Sequence, residues 1–330
     1  MPGNTVLVTG GAGYIGSHTV KLLRERGHDV VIYDDLRYGH RAAVADVPLV
    51  VGDLLDESRL KDLLRRYAIG ACVHFAARCY VGESVENPLK YYRDNVAGSI
   101  ALINQLVAAG VRRVVFSSSC AVYGAPDRIP ILEDTPRRPV NPYGRSKRII
   151  EDVLADCESA HGLASASLRY FNAAGADPDG QLGEWHDPET HLIPLALRAA
   201  MNQGTLKIFG DRYPTADGTC VRDYIHVTDL AEAHLAALAR IASGTGRLVL
   251  NLGTGQGYSV KQVIAAASRV SGRQIKTEIA PPRAGDPPEL VAGGSRARDV
   301  LGWQPRYPDL ETIVQHAWNW LSKHPHGYGS

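Results

Sequence analysis

Short apolar runs alternate with longer helical segments through the first half of the chain. The run at residues 6–9 has the length of a strand, and residues 17–26 have a helical periodicity that ends at Gly27. Further apolar runs predict strands at residues 30–33, 71–75, 114–117, 168–171 and 249–252. Runs that are apolar throughout are typical of strands covered on both faces. The pattern therefore predicts an α/β fold with a doubly wound parallel sheet flanked by helices.

The composition changes after about residue 171. Residues 172–190, 210–222 and 280–294 are rich in glycine, aspartate and proline, and long irregular segments of this kind are usually functional loops. We interpret the chain as two parts. The first domain is predicted at residues 1–171 and 223–256, and a smaller C-terminal α/β lobe at residues 172–222 and 257–330.

Composition and charge narrow the function classes. The 330 residues carry a net charge of +1 with no block of like charges, so we expect neither nucleic acid nor a membrane surface as a partner. No apolar run reaches the roughly 18 residues that a membrane-spanning helix needs, and the N-terminus enters a strand with no room for a signal peptide. Scattered cysteines indicate reduced thiols in the cytoplasm and no metal site. They are Cys72, Cys79, Cys120, Cys157 and Cys220.

A glycine-rich segment follows the first predicted strand and opens the first predicted helix. Residues 9–16 read TGGAGYIG, which places Gly10, Gly13 and Gly16 at regular spacing. Glycine permits a tight turn and lets the backbone approach a pyrophosphate, whose charge then lies at the helix N-terminus. The segment therefore predicts a dinucleotide-binding loop of the Rossmann type.

Acidic residues after the next strands indicate which dinucleotide binds. Asp34 ends the second predicted strand, where a carboxylate binds the adenosine ribose hydroxyls and repels a 2′-phosphate. This favours NAD over NADP, although the nearby Arg37 leaves NADP open. Asp53, after a further short strand, is expected at the adenine edge.

Tyr143 and Lys147 lie four residues apart in the sequence NPYGRSK. On a helix these positions share one face, so the ammonium can lie beside the phenol. A free tyrosine has a pKa near 10, and a neighbouring positive charge lowers that pKa. Reaching a pKa of about 7 requires about 4 kcal/mol. We therefore expect a tunable base that moves a hydroxyl proton.

Several longer stretches accompany these motifs. They are HFAA at residues 74–77, VGES at 81–84, SSSCAVYG at 117–124, RYFN at 169–172 and VRDYIH at 221–226. With the glycine loop and the Tyr–Lys pair, the chain resembles the extended short-chain dehydrogenases/reductases from end to end. More narrowly, it is similar to their NAD-dependent sugar-nucleotide epimerases.

The resemblance implies an activity and a set of site residues. The activity is reversible epimerisation at C4 of a UDP-hexose, such as UDP-glucose or UDP-galactose, through a transient 4-keto sugar and a retained NAD. Ser119, Tyr143 and Lys147 are implied to be catalytic. The implied cofactor contacts are Gly10, Gly13, Tyr14, Ile15, Gly16, Asp34, Asp35, Leu36, Asp53, Leu54, Phe75, Ala76, Ala77, Asp94, Asn95, Ser117, Tyr143, Lys147, Tyr170 and Phe171. The implied substrate contacts are Ser119, Tyr143, Asn172, His191, Leu192, Lys207, Ile208, Phe209, Arg222, Tyr224, Arg283, Asp286 and Leu290.

Four residues depart from the pattern of that family. Cys79 occupies a position where a lysine near the cofactor is common. Asp94 replaces an asparagine beside the nicotinamide ribose, and His191 replaces another asparagine. Leu290 occupies the pocket wall where members restricted to glucose and galactose carry a tyrosine, so N-acetylated sugars and pentoses remain alternatives.

Other activities on this scaffold remain to be weighed. A sugar-nucleotide 4,6-dehydratase or a decarboxylase needs a carboxylate just after the active-site serine, whereas Cys120 and Ala121 follow Ser119 here. A reductase with an exchangeable cofactor and a non-catalytic NAD-sensing protein are further alternatives, although the sensor needs no base. The resemblance also implies a homodimer formed through two helices per subunit.

Overall fold

The computed structural model describes residues 4–243, 246–283 and 285–329. The described residues leave out 1–3, 244–245, 284 and 330. Residue 284 belongs to the predicted loop at 280–294, and the others belong to the two predicted domains. Within the described part, no helix combines the length and apolar character required to cross a membrane.

Strands and helices alternate along the chain, as the apolar pattern predicts. The strands are β1 Thr5–Thr9, β2 Asp29–Asp34, β3 Leu49–Val51, β4 Ile69–His74, β5 Arg113–Ser119, β6 Ala164–Tyr170, β7 Asn172–Ala174, β8 Thr205–Phe209, β9 Val221–His226, β10 Arg247–Leu252, β11 Gly257–Ser259, β12 Lys276–Ala280 and β13 Glu289–Leu290. The α-helices are α1 Tyr14–Glu25, α2 Glu57–Arg66, α3 Val81–Glu86, α4 Pro88–Tyr91, α5 Gly98–Ala108, α6 Pro142–His161, α7 Leu192–Asn202, α8 Val227–Ala242, α9 Val260–Ser271, α10 Arg296–Leu301 and α11 Leu310–Lys323.

Seven strands form one parallel sheet in the order β10-β6-β5-β4-β1-β2-β3. The strand order reverses between β1 and β4, and in open α/β sheets ligands bind outside the carboxyl ends of the strands at this point. The sheet has a separate apolar cluster on each face, one including Val8 and Ile32 and the other Leu7 and Val31. Successive side chains of one strand thus enter opposite layers. The predicted doubly wound fold is confirmed.

The later segments form two smaller sheets beside the carboxyl edge of the large one. In the first, β9 pairs with β7, β11 and β13, and in the second, β8 pairs with β12. Helices α7, α9 and α11 cover them around an apolar cluster that includes Ile193, Val263 and Trp320. This arrangement is consistent with a smaller C-terminal lobe, and the exact domain boundaries stay a prediction.

Element bounds differ from the predicted ones at several ends. Helix α1 begins at Tyr14, three residues before the predicted start. Its first turn packs directly on the glycine loop, because a Cβ on Gly16 would lie only 2.1 Å from the Gly10 carbonyl oxygen. The apolar pattern also missed the short strands β7 and β13, which lie inside segments predicted to be loops.

Candidate active site

The glycine-rich loop lies between β1 and α1 at the switch point of the sheet. Gly10 has a φ of 70°, and a Cβ there would lie 2.6 Å from the backbone nitrogen of Ala76. Only glycine therefore lets the loop lie this close to the neighbouring strand end. The loop leads into the N-terminus of α1 at Gly13, so the cradle fits a dinucleotide pyrophosphate.

Asp34 holds the glycine loop against the end of β2. Its carboxylate accepts hydrogen bonds from the backbone nitrogens of Ala12, at 3.0 Å, and Leu36, at 2.9 Å. Burial raises the pKa of Asp34, and the two backbone hydrogen bonds act in the opposite direction. Each carboxylate oxygen can accept more than one hydrogen bond, so Asp34 keeps the capacity to bind ribose hydroxyls.

Arg37 is surrounded by carboxylates. Its guanidinium lies 2.9 Å from Asp53, 3.4 Å from Asp35 and 3.7 Å from Asp94. A 2′-phosphate at this position would meet these negative charges as well as the arginine. The surroundings of Arg37 therefore disfavour NADP, the alternative that the sequence left open.

Asp94 and Asn95 lie on a π-helical turn at Tyr92–Ala97 and have different roles. The carboxylate of Asp94 pairs with Arg78 at 2.8 Å and with Arg93 at 3.0 Å. Asn95 is buried, accepts a hydrogen bond from the Arg78 backbone nitrogen at 2.7 Å and donates to Ser146 on α6 at 3.1 Å. Asn95 therefore connects the turn to the helix that carries the predicted base.

Three serines end β5 and have different partners. The Ser117 hydroxyl lies 2.6 Å from the Tyr170 hydroxyl, and Ser118 donates to the buried Glu151 at 2.6 Å. The Ser119 hydroxyl accepts a hydrogen bond from the backbone nitrogen of Ala121 at 3.1 Å. As an acceptor from the backbone, Ser119 keeps its own hydroxyl proton for another partner.

Tyr143 and Lys147 both lie on α6, as predicted, and both are less than a tenth exposed. Asn141 caps this helix by accepting from the Gly144 nitrogen at 2.8 Å. A Cβ on Gly144 would lie 2.4 Å from the Ala121 carbonyl oxygen, so glycine lets the first turn lie directly against the 3-10 turn that follows β5. This close packing brings Tyr143 beside Ser119.

The expected lowering of the Tyr143 pKa is not found. Burial raises that pKa well above its usual value near 10, and the nearby Ser119 hydroxyl acts in the opposite direction. Lys147 donates to the Ser117 carbonyl oxygen at 2.8 Å, and its ammonium nitrogen is 5.8 Å from the centre of the Tyr143 ring. Burial also lowers the pKa of Lys147 to about 8. The prediction considered only the charge and omitted desolvation, which disfavours both charged forms.

Cys79 lies near this pair. Burial raises the pKa of the Cys79 thiol to about 11, so the side chain is neutral near pH 7 and supplies no cation in place of the lysine found in related proteins. Phe75 and Ala76 follow β4 beside it, and their backbone nitrogens both donate to the Thr9 carbonyl oxygen, at 2.9 and 3.1 Å.

The predicted wall of the sugar pocket is apolar. Phe171 and Leu290 belong to one buried cluster that also contains Cys120 and Val122. Asn172 starts β7 and donates to the Asp223 carbonyl oxygen at 3.1 Å. Leu290, on β13, therefore packs in the same cluster as Phe171, which is a predicted cofactor contact.

The predicted nucleotide end contains cations held by neighbouring side chains. Arg222 on β9 pairs with Asp286 at 2.5 Å, and its side chain is only 13% exposed. Arg283 stacks its guanidinium 4.1 Å from the centre of the Phe209 ring. Tyr224, two residues after Arg222, is buried on the same strand. Arginine in such places offers a planar fork to phosphate oxygens.

Lys207 and Ile208 differ in where their side chains point. Lys207 is exposed and lies 3.7 Å from Glu278 of the adjacent strand, whereas Ile208 is buried. Neighbouring side chains of a strand point to opposite faces, so the two side chains have different surroundings. That Lys207 and Ile208 both bind the substrate stays a prediction.

The sequence prediction placed His191 and Leu192 at the substrate but missed their surroundings. His191 is the N-cap residue of α7, and Leu192 begins that helix. Together with Glu184, His186 and Glu189, His191 forms a cluster of four metal-ligating side chains. The sequence EWHDPETH contains this signal, although the search for metal spacings considered only cysteines.

Known proteins share much of the sequence of this chain. The family model described as "NAD dependent epimerase/dehydratase family" matches residues 6–253. A UDP-glucose 4-epimerase of Halalkalibacterium halodurans is 49% identical to the chain over 326 residues, covering 98% of each protein.

Solved structures give the same result. A UDP-glucose 4-epimerase of Brucella ovis in complex with NAD is 51% identical, covers 96% of this chain and 97% of its own, and superimposes with a TM-score of 0.92. A UDP-glucose 4-epimerase of Bifidobacterium longum in complex with NAD+ and UDP is 38% identical, with coverages of 98% and 99% and a TM-score of 0.94. The similarity thus extends over nearly the whole chain.

Proposed function

The chain belongs to the NAD dependent epimerase/dehydratase family, and from this membership we propose that it epimerises C4 of a UDP-hexose, interconverting UDP-glucose and UDP-galactose. The single observation that carries the proposal is the convergence of Ser119, Tyr143 and Lys147 at the carboxyl edge of the sheet, beside the glycine loop. This set can move a hydroxyl proton next to a bound dinucleotide.

The cofactor is NAD. Gly10 and Gly16 would admit its pyrophosphate, Asp34 would accept from the adenosine ribose hydroxyls, and Lys147 and Tyr170 would lie near its nicotinamide end. When bound, NAD supplies the hydride acceptor and donor and the positive charge of its oxidised nicotinamide ring. In this buried site the positive charge of oxidised NAD would act strongly on the Tyr143 phenol. Lys147 alone does not lower the Tyr143 pKa.

The side chains of this protein carry out the proton transfer. Tyr143, as the phenolate, takes the proton of the C4 hydroxyl while C4 gives up hydride, which leaves a 4-keto sugar. Ser119 orients the reacting oxygen through its hydroxyl proton, and Lys147 together with the charge of bound NAD would favour the ionised phenol. After the keto sugar turns over, hydride returns to its opposite face and Tyr143 gives the proton back to the oxygen.

The reaction has zero net redox change, so the cofactor can stay bound between turnovers. The site must then hold the nucleotide firmly and let the hexose rotate. Arg222 and Arg283 provide the cations for the diphosphate end. The apolar cluster around Phe171 and Leu290 offers the hexose few directional contacts.

Competing activities fit this site less well. Ser119 is followed by a 3-10 turn at Cys120–Val122, which carries no carboxylate for the second proton transfer of a dehydratase. A NAD-sensing protein would need the glycine loop without the buried Ser–Tyr–Lys set. A reductase with an exchangeable cofactor differs from an epimerase in consuming added NAD or NADH.

We infer that Leu290 leaves the choice of sugar broad. A leucine occupies less space than the tyrosine of members restricted to glucose and galactose, so UDP-N-acetylhexosamines and UDP-pentoses are the alternative substrates. The physiological pair is best identified by presenting the sugars together.

We propose a homodimer formed through α5 and α6. Exposed apolar side chains cluster on α3 to α6, where Val85 is 61% exposed and Leu89 79% exposed, and Ile100 and Ile149 add one each on α5 and α6. Contiguous exposed apolar surface marks interaction sites. Light scattering should give twice the mass of one chain, and the mass of a single chain would contradict the dimer.

We also infer a cytoplasmic location. The five cysteines are all free in the structure, and three of them, Cys72, Cys120 and Cys220, are buried. Reduced, unpaired cysteines are typical of the cytoplasm.

One assay tests the proposed function directly. Purified protein without added cofactor is incubated in parallel with UDP-glucose, UDP-N-acetylglucosamine and UDP-xylose, and the products are identified by NMR. We expect the C4 epimer of UDP-glucose without added NAD. A requirement for stoichiometric NAD would favour the reductase, and no turnover of any of the three sugars would contradict the proposal.

A further inference from the structure

Four side chains of the segment between β7 and α7 converge on one point. Glu184, His186, Glu189 and His191 each offer one ligand atom, and these four atoms all lie within 4.8 Å of one another. The segment carries them within eight consecutive residues. Two imidazoles and two carboxylates make an N₂O₂ set.

Three of the nitrogen–oxygen separations are close to the edge length of a tetrahedral site, with each Glu189 oxygen facing one of the two histidines. His186 Nδ1 lies 3.4 Å from Glu184 Oε1 and 3.7 Å from Glu189 Oε2, and His191 Nδ1 lies 3.7 Å from Glu189 Oε1. Ligands about 2.0–2.1 Å from a tetrahedral Zn²⁺ are about 3.4 Å apart. The fourth separation, 2.5 Å between His191 Nδ1 and Glu184 Oε1, must widen by about 1 Å to fit this tetrahedron.

That widening is available at His191. Its side chain is 44% exposed, whereas the Glu184 side chain is 5% exposed. His191 is also the N-cap residue, with an extended backbone, rather than an interior residue of α7. The ring can therefore move outward while the three buried ligands stay in place.

Two buried ligand atoms have no hydrogen-bond partner in the described part of the chain. They are His186 Nδ1 and Glu189 Oε2, on side chains that are 9% and 1% exposed. The cation nearest to Glu189 is Arg198, at 3.6 Å, whose guanidinium is stacked 4.1 Å from the Trp185 ring centre. Because a buried polar atom without a hydrogen bond is costly, a cation held at the centre of the cluster would compensate both atoms.

We propose that Glu184, His186, Glu189 and His191 bind one divalent transition-metal ion, and that Zn²⁺ fits the set best. Imidazole nitrogens suit Zn²⁺, and two carboxylates balance its charge. Four protein ligands close the coordination sphere, which makes the site structural rather than catalytic. The scattered cysteines predicted no metal site, so this site revises that expectation.

The ion would fasten the segment to the cofactor half of the molecule. The His186 ring lies 6.4 Å from the ring of Tyr14 in the glycine-loop helix, at a right angle to it. On either side, His40 lies 2.9 Å from the Trp185 carbonyl oxygen and Tyr80 donates to the Pro188 carbonyl oxygen at 3.0 Å. The same ion would fix His191 at the start of α7, where the substrate contact is predicted.

The competing arrangement has no ion. Protonated histidines would then pair with the carboxylates, and in that state the glutamates hold the pKa of His186 at about 10 despite its burial. Both arrangements satisfy the charges, so direct metal binding must decide between them.

The test uses the intact, NAD-retaining protein. It is treated with a chelator, dialysed and titrated with Zn²⁺ by calorimetry, and the metal content before and after is measured by plasma mass spectrometry. Co²⁺ then replaces Zn²⁺, because its visible absorption reports tetrahedral coordination. We expect one ion per chain and a tetrahedral Co²⁺ spectrum.

Variants separate the cluster from adventitious binding. His186→Ala and Glu189→Gln should each lower the affinity for Zn²⁺ by at least about 100-fold, since even outer partners of metal ligands matter 10- to 100-fold. Exposed His161, at the end of α6, supplies the control His161→Ala, which should bind like the parent. Glu189→Gln keeps the shape of the side chain, which guards against misfolding of His186→Ala.

Three results would overturn the site. They are no Zn²⁺ binding by the parent protein, equal binding by the parent and the two cluster variants, or a Co²⁺ spectrum of octahedral type. These readouts involve no turnover, so they stay independent of the proposed epimerase activity.

Discussion

The two ends of the candidate active site are built in opposite ways. At the redox end, Ser119, Tyr143 and Lys147 are buried, and burial shifts the pKa values of Tyr143 and Lys147 towards their neutral forms. At the nucleotide end, Arg222 keeps its charge in an ion pair with Asp286, and Arg283 lies exposed on Phe209.

This difference separates chemistry from affinity. The buried end holds charge at a high cost, so a bound cofactor or substrate strongly changes the protonation of Tyr143 and Lys147. The nucleotide end holds ready-made cations that recognise phosphates in either epimer. Changes at the first end should therefore affect kcat, and changes at the second should affect KM.

The largest effect is expected from Tyr143→Phe. Loss of the proton acceptor should lower kcat for UDP-glucose by about 10³- to 10⁴-fold, because general base catalysis contributes about 10²- to 10⁴-fold. Tyr67→Phe, which removes a hydroxyl far from the site on the end of α2, is the control and should keep parent activity. Undiminished turnover of Tyr143→Phe in an initial-rate assay would contradict the assignment of the base.

The next effect is expected from Lys147→Met, which should lower kcat at least about 10²-fold while stabilising the protein without NAD. Burial lowers the Lys147 pKa to about 8, against about 10.4 in the unfolded chain. Below pH 8 both the folded and the unfolded chain hold the Lys147 proton. The folded chain then bears the full free-energy cost of burying the ammonium. Between pH 8 and 10.4 the unfolded state binds more protons, so the parent gains stability as pH rises.

Thermal melts at several pH values check this expectation. The methionine variant should exceed the parent by about 1–2 kcal/mol near pH 7, and its advantage should shrink above pH 8. A variant that is less stable than the parent at pH 7 would show that Lys147 supports the fold rather than the chemistry.

A smaller effect, on the other end of the site, is expected from Arg222→Lys. A lysine keeps the charge but loses the bidentate fork. KM for UDP-glucose should rise about tenfold, since a hydrogen bond to a charged group contributes about 1.5–3 kcal/mol, and kcat should change by less than about threefold. Arg212→Lys alters an exposed arginine and serves as the control. A fall in kcat with unchanged KM would remove the contrast between the two ends.

The smallest effect on UDP-glucose is expected from Leu290→Tyr. The added ring should fill space beside the hexose and lower kcat/KM for UDP-N-acetylglucosamine about tenfold or more relative to UDP-glucose. Leu290→Met conserves volume and should leave that ratio unchanged. Equal losses for both sugars in the tyrosine variant would indicate general disruption of the cluster around Phe171.

Local patterns predicted the parts of the site that depend on local geometry. The glycine loop, the helix carrying Tyr143 and Lys147, and Ser119 at a strand end all follow from short stretches of sequence. The ion pair between Arg222 and Asp286 joins residues 64 positions apart, so no local pattern contains it. Desolvation of Tyr143 depends on the whole packed structure, and for that reason the predicted direction of its pKa was wrong.

The same distinction applies to the fold. Strands buried in the large sheet have continuous apolar runs and were predicted. The short strands β7 and β13 bury little and are defined by their pairing with β9, so their sequences resemble loops. The cluster from Glu184 to His191 is local, and a search for histidine and glutamate spacings would have found it.

Epimerisation of UDP-glucose in deuterated water tests the central claim most directly. If hydride leaves and returns through retained NAD while Tyr143 moves only the hydroxyl proton, the UDP-galactose seen by NMR keeps protium at C4. Deuterium at C4 of the product would contradict the account, because it would mean that a carbon-bound proton exchanges with solvent during turnover.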